Sequence, residues 1–233
     1  MARRLSAGGH RVALTARSAD ELDALGATLP GPVLVLPADA TDPDAVESVF
    51  AAVEREWGSV QVLVLNAGAG TSAPLDRTTD AQWQQMLDLN LTAPFRMLRR
   101  AAPGMVAGGF GRVVAIASVA AKRGEPYLAA YTASKHGLLG LVRSAAQELA
   151  TTGVTVNAVC PGYVDTPMTD TTVAAISTTT GRTPEQARAA LERRQPIGRL
   201  VTTDEVADAV LLCVASASIT GQGINVDGGA VQS

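Results

Sequence analysis

Six apolar, β-branched runs alternate along the chain with Ala- and Leu-rich stretches of helical length. The runs cover 11–16, 33–37, 60–65, 111–118, 154–160 and 224–226, and the helical stretches 19–28, 42–57, 80–106, 129–152 and 203–216. Most runs are continuously apolar rather than alternating, which is the pattern of strands buried on both faces of a parallel sheet. Strand, helix, strand repeated in this way predicts an α/β doubly wound parallel sheet flanked by helices, with right-handed crossovers. End signals agree. Asp42 stands before Pro43, Asp204 and Glu205 open the last helix, Gly153 closes the long one, and Gly8-Gly9 close a first one whose back half is residues 1–7. The stretch 167–200 breaks the rhythm: it is Thr-rich and then helical only over 184–194. It reads as a long excursion at the carboxyl end of a strand, where such proteins carry a lid or substrate loop.

Of the 233 residues, 47% are hydrophobic, and 19 basic against 22 acidic residues leave a net charge of −3. That apolar fraction excludes disorder, and with no linker-like stretch the chain is one domain over 1–233. Scattered basic residues and 3% aromatics supply neither a basic stripe nor a stacking platform, so no nucleic-acid partner is expected. No stretch approaches the roughly 20 apolar residues of a membrane span, and the first residues lack the apolar core of a signal peptide, so a cytoplasmic protein with no membrane partner is expected. Cys160 and Cys213, each in an apolar segment, read as reduced, buried thiols, and no metal site is expected.

The strongest local signal is Tyr131-Thr132-Ala133-Ser134-Lys135. Four residues apart on a helix, the phenol and the ammonium share a face. With three tyrosines and two lysines in the chain, one such pair arises by chance with an expectation of about 0.03, though short motifs do recur by accident. A phenol titrates near ~10 in water, and a neighbouring cation favours its phenolate. A tyrosine so tuned can give a proton to a carbonyl oxygen or take one from an alcohol, a role worth ~10²–10⁴ in rate. Ser118 stands at the carboxyl end of the 111–117 run, thirteen residues before Tyr131. Alone it would be a turn-capping serine; at the ligand crevice of a parallel sheet its hydroxyl can hydrogen-bond the substrate oxygen that Tyr131 protonates.

Ser118, Tyr131 and Lys135, together with Leu65-Asn66-Ala67-Gly68, Asn90 in Asp88-Leu89-Asn90-Leu91, Pro161-Gly162-Tyr163-Val164-Asp165-Thr166 and Asn225-Val226-Asp227-Gly228-Gly229, resemble the short-chain dehydrogenase/reductase family in content and order along essentially the whole chain. The resemblance implies a Rossmann-like sheet and a nicotinamide cofactor. It implies Tyr131 as acid/base, Ser118 polarising the carbonyl, Lys135 lowering the tyrosine pKa while holding the nicotinamide ribose, and Asn90 supporting a proton relay through water. It places Asn66, Ala67 and Gly68 on the adenine-ribose side, Asp39 and Ala40 at the adenine, and Pro161, Gly162, Val164 and Thr166 at the nicotinamide carboxamide. After the first run the sequence reads Leu14-Thr15-Ala16-Arg17-Ser18, without the acidic residue that would bind the ribose 2′-hydroxyl of NAD(H). Arg17 offers a guanidinium to a 2′-phosphate, so NADP(H) is favoured over NAD(H).

Family members open with a strand and a glycine-rich turn that holds the pyrophosphate, and this sequence shows neither. Gly8-Gly9 cannot substitute, because they follow helical residues and precede a strand. Two explanations stand: a start site assigned too late, or a truncated relative. On either, the 233-residue chain is expected to bind NADP weakly or not at all. Closest in motif are 3-oxoacyl-thioester reductases and 3-hydroxyacyl dehydrogenases, through Tyr163-Val164-Asp165-Thr166-Pro167-Met168 and Pro196-Ile197-Gly198-Arg199-Leu200. A polyketide-type ketoreductase or a hydroxybutyrate-type dehydrogenase is also compatible. A small-molecule carbonyl or acyl-thioester substrate is expected, with Met168 and Ile176 in an apolar lid. Arg193-Arg194 reads as a solvated helix end or as a contact for an anionic carrier. By analogy, helices 80–106 and 129–152 pair subunits into a homo-oligomer, a tetramer or dimer. The alternative function is a non-catalytic scaffold or nucleotide sensor.

Overall fold

The computed structural model describes residues 1–232. Its elements run α1 (Ala2–Ala7), β1 (Val12–Leu14), α2 (Ala19–Gly26), β2 (Val33–Val35), α3 (Pro43–Trp57), β3 (Val62–Leu65), α4 (Asp80–Leu87), α5 (Ala93–Ala107), β4 (Gly111–Ile116), α6 (Ala129–Leu149), β5 (Val154–Pro161), α7 (Pro167–Thr180), α8 (Pro184–Glu192), α9 (Thr203–Ala215) and β6 (Gly223–Val226). All strand pairs are parallel. They form a four-stranded sheet in the order β3-β4-β5-β6 and a two-stranded sheet of β1 and β2. The predicted α/β, parallel, helix-flanked architecture is therefore present as two sheets rather than one.

β4 and β5 are the centre of the larger sheet, and their side chains alternate between two cores as period two requires. Val113, Ala115, Val156, Ala158 and Cys160 enter one cluster with Phe50 of α3, Leu98 and Met105 of α5, and Leu138 and Val142 of α6. Val114 and Val159 enter a second with Val206, Val210 and Cys213 of α9. A third cluster joins Leu5 of α1, Val12 and Leu14 of β1, and Leu22 of α2. Met1 and Val64 pack against both the second and third clusters, so side chains rather than a strand ladder connect the two sheets. Arg4 adds an ion pair from α1 to Asp208 of α9 at 2.5 Å.

Two predicted segments differ in detail. The stretch 80–106 is not one helix: between α4 and α5 lies a π-helical turn, Asp88–Thr92. Pro94, near the start of α5, lacks an N–H and crowds the carbonyl four residues back, which is that of Asn90; widening the turn relieves this. Residues 167–180, expected to be irregular, are helical. Thr171, Thr172, Ser177, Thr178 and Thr180 each donate a hydroxyl to the carbonyl four residues earlier, at 2.7 to 3.0 Å. Such residues form helix poorly on their own. The helix is held by a small apolar cluster in which Val173 and Ile176 of α7 meet Ala187 and Leu191 of α8, Leu200 and Tyr163, and by Gly181, whose φ of 70° supplies its left-handed end.

Candidate active site

The predicted site residues stand at strand carboxyl ends. Ser118 follows β4, caps a short 3-10 turn by accepting from Ala120 N at 3.1 Å, and is half-buried. Tyr131 and Lys135 lie on the first turns of α6. The Lys135 side chain is 4% exposed, its Nζ donates to the Ile116 carbonyl at 2.8 Å, and it lies 5.8 Å from the centre of the Tyr131 ring. The Ile116 carbonyl is the last of β4, so the strand end that presents Ser118 also anchors Lys135.

The electrostatics depart from expectation in one respect. The Tyr131 pKa is raised, first by burial of the phenol; the neighbouring Ser118 side chain opposes this, and Tyr163 and Cys160 reinforce the rise. Burial lowers the Lys135 pKa to about 8. In this state of the protein Tyr131 is a proton holder rather than a phenolate, because desolvation of the anion outweighs the nearby dipoles. Burial also raises the Cys160 thiol. Both cysteines are free and buried, as expected.

Asn90 is fully buried in the π-helical turn. Its Nδ2 donates to the Ala69 carbonyl at 2.9 Å and to Ser134 Oγ at 3.1 Å, and its Oδ1 accepts from Ala69 N at 3.1 Å. Ser134 passes the link on to the Tyr131 carbonyl at 2.7 Å. The side-chain amide is therefore engaged in bracing the turn after β3 against the first turn of α6, a role that spacing alone does not reveal. Gly68 fits into this brace. A Cβ there would stand 3.1 Å from Asn90 Oδ1 and 3.5 Å from Lys135 Nζ, so only bare backbone leaves that approach open. Asn66 and Ala67 are exposed beside it.

The segment after β5 is clamped from an unexpected side. Gln195, 1% exposed, accepts from Tyr163 N at 3.0 Å and donates to the carbonyls of Tyr163 at 3.1 Å and Arg199 at 2.7 Å. A side chain at Gly162 would collide with Gln195 Oε1. Val164 bridges to Val201, and the Thr166 hydroxyl turns back to the Val164 carbonyl at 3.3 Å. Pro161, Gly162, Val164 and Thr166 are thus fixed as one strip along the crevice. Of the two expected lid residues, Ile176 packs inside the α7–α8 cluster, whereas Met168 is 50% exposed. Gln195 is a glutamine among arginines before Pro196-Ile197-Gly198, and nothing in its local sequence marks it.

Arg17 follows β1 and is exposed, and no hydrogen bond or ion pair engages its side chain among the described residues. Its charge reaches Asp39, whose pKa is lowered chiefly by the Thr41 backbone and hydroxyl, at 2.8 and 2.7 Å, with Arg17 contributing least. Ala40 is half-buried beside it. An exposed guanidinium at Arg17 and a buried ammonium at Lys135 are the groups of this chain that could hold a nucleotide cofactor.

Comparison with known proteins points the same way. A family model described as enoyl-(acyl carrier protein) reductase matches residues 1–231. The chain is 40% identical to the 3-oxoacyl-(acyl-carrier-protein) reductase MabA of Mycobacterium bovis, covering 98% of this chain and 86% of that one. It is 35% identical to the D-beta-hydroxybutyrate dehydrogenase of Rhizobium meliloti, covering 98% and 92%. Among solved structures, a variant of the actinorhodin polyketide ketoreductase crystallised with NADPH superposes with a TM-score of 0.92 at 37% identity, covering 98% of this chain and 90% of that one.

Proposed function

The chain belongs to the short-chain dehydrogenase/reductase family, which includes dehydrogenases and reductases acting between CH–OH and C=O groups, and on that premise we propose that it is an NADP(H)-dependent reductase of a 3-oxoacyl thioester or related small carbonyl, with Tyr131 as its acid/base. The observation that carries this reading is the meeting of Ser118, Tyr131 and Lys135 at the carboxyl end of β4 and the start of α6, with Lys135 Nζ anchored to the Ile116 carbonyl at 2.8 Å and 5.8 Å from the centre of the Tyr131 ring. NADP(H), when bound, supplies or takes up the hydride at the substrate carbon. Lys135 would hold the nicotinamide ribose, the strip from Pro161 to Thr166 its carboxamide, and Asn66, Ala67, Gly68, Asp39 and Ala40 the adenosine side. Arg17 would meet the 2′-phosphate.

In the reductive direction Ser118 Oγ and Tyr131 Oη converge on the carbonyl oxygen and polarise it. Burial keeps the proton on Tyr131 Oη, and an oxygen developing alkoxide character is a stronger base than a phenolate, so transfer from even a raised phenol runs downhill. The Lys135 ammonium, held in place by the Ile116 carbonyl, stabilises the phenolate left behind. Subunit pairing through α5 and α6 belongs to the same proposal and is supported by Trp83 and Phe95, which leave 41% and 42% of their surface exposed on α4 and α5.

The test is carbonyl-dependent NADPH oxidation by the purified chain with a 3-oxoacyl thioester, at NADPH concentrations high enough to offset the weak cofactor binding expected without a glycine-rich turn. We expect turnover that falls about 10²–10⁴-fold in Tyr131→Phe. NADPH binding without turnover on any ketone or thioester would favour the non-catalytic alternative instead.

A further inference from the structure

Glu125 stands apart from the other ion-paired carboxylates. Those leave from 32% to 67% of their side chains exposed, whereas Glu125 leaves 8%. An isolated carboxylate is expensive to bury, so its partners define what it does. One of its oxygens accepts from Arg123 Nε at 2.8 Å and pairs with Arg123 Nη2 at 2.7 Å, and the other faces Arg194 Nη1 at 3.4 Å. Arg194 follows α8, donates to Tyr163 Oη at 2.7 Å and lays its guanidinium 5.9 Å from the centre of the Tyr163 ring. Arg123 Nη1 reaches the Ala230 carbonyl at 2.9 Å.

These contacts join parts of the chain that matter to the cleft. Glu125 lies on the loop between Ser118 and Tyr131. Tyr163 lies in the clamped strip after β5 and packs into the apolar cluster of α7 and α8. The same loop is tied at its far side, where the Tyr127 carbonyl accepts from Ala73 N at 2.9 Å and Tyr127 itself holds a φ of 66°. A tyrosine in the left-handed region is strained and persists only where its surroundings enforce it.

We propose that Glu125 is a positioning residue: by holding Arg194, and through it the Tyr163 hydroxyl, it fixes the α7–α8 pair against the loop between Ser118 and Tyr131 and sets the substrate side of the cleft. This rests on the carbonyl-reductase reading above. It also gives Arg194 a definite place, as a strut inside the protein rather than a solvated helix end.

The experiment compares Glu125→Gln, Arg194→Met and the double variant with the parent chain. For Glu125→Gln we expect KM for the acyl thioester to rise about tenfold, with kcat and the NADPH Kd each within about threefold of the parent. Arg194→Met, which cuts the same contact from its half-exposed end, should show the same split, and the double variant should lose less than about twofold beyond the worse single one. Multiplying losses, an unchanged KM, or a fall in kcat with KM preserved would overturn the proposal. Should Glu125→Gln fail to fold, Arg194→Met alone decides by the same split. Should the parent bind NADPH yet turn nothing over, the reductase reading fails and amide hydrogen exchange decides the positioning claim separately. Exchange in α8 and residues 163–166 that is at least about fivefold faster in Arg194→Met, with α3 unchanged, supports the clamp, and equal exchange refutes it.

Discussion

β4 and β5 bury all their residues except Ile116, which is half-buried, while in β1 and β2 only Val12 and Leu14 are buried and every residue of β2 is half-exposed. The first pair is sandwiched between α3, α5 and α6 on one face and α9 on the other; the second pair rests on α1, α2 and the shared side chains of Met1 and Val64. The candidate site residues divide along the same line. Ser118, Tyr131, Lys135 and Asn90 are braced by hydrogen bonds to buried backbone and side chains, whereas Arg17 and Asp39 sit exposed at the ends of the thin sheet. The proposed proton transfer needs sub-ångström placement and falls on the buried part. The proposed recognition of a 2′-phosphate needs only a charge within reach and falls on the exposed one.

Removing core volume should break this contrast most clearly. Met105→Ala, at a position 1% exposed beneath β4, should cost about 2–5 kcal/mol in urea unfolding, while Leu34→Ala in half-exposed β2 should cost about 1 kcal/mol or less. Equal losses would mean that the two sheets are equally packed.

A smaller effect comes from the buried ammonium. The unfolded chain holds the Lys135 proton up to its ordinary 10.5, but the folded chain releases it near 8. Between those values the unfolded state binds more protons, so this contribution to stability grows with pH; it is fully present above the upper value and lost as pH falls through the lower. Between about pH 7.5 and 9.5 the parent should therefore gain roughly 2 kcal/mol relative to Lys135→Met. A constant difference across that range would show that the lysine is not desolvated.

The smallest expected change is in cofactor choice. Arg17→Glu should shift the ratio of NADPH to NADH affinity by about tenfold or more toward NADH, with little loss of stability, since charge-assisted phosphate contacts are worth about 1.5–3 kcal/mol. An unchanged ratio would remove Arg17 from cofactor recognition.

What the sequence makes legible follows from the range of the interactions. The β4, β5 and α6 segments carry their own period and their own end signals, and Tyr131 and Lys135 are spaced by one helical turn, so both their elements and their proximity could be read locally. The π-helical turn depends on a steric clash between Pro94 and the Asn90 carbonyl, which a run of helix formers conceals. α7 reads as irregular because its threonines and serine oppose helix formation, and only α8 and Tyr163 supply the burial that overrides them. The raised Tyr131 pKa runs against the expected effect of Lys135 because it depends on how much of the phenol loses water. Gln195 and Glu125 act across the fold, Gln195 on Tyr163, 32 residues earlier, and Glu125 on Arg194, and no local pattern marks them.

The division of labour is tested most directly by measuring NADPH affinity and single-turnover rate on the same preparations of the parent, Tyr131→Phe and Arg17→Glu. The account predicts that Tyr131→Phe keeps NADPH affinity within about threefold while its single-turnover rate falls about 10²–10⁴-fold, and that Arg17→Glu loses NADPH affinity but keeps its rate once saturated. A Tyr131→Phe chain that turns over at the parental rate, or that loses rate only in proportion to lost NADPH binding, would contradict it.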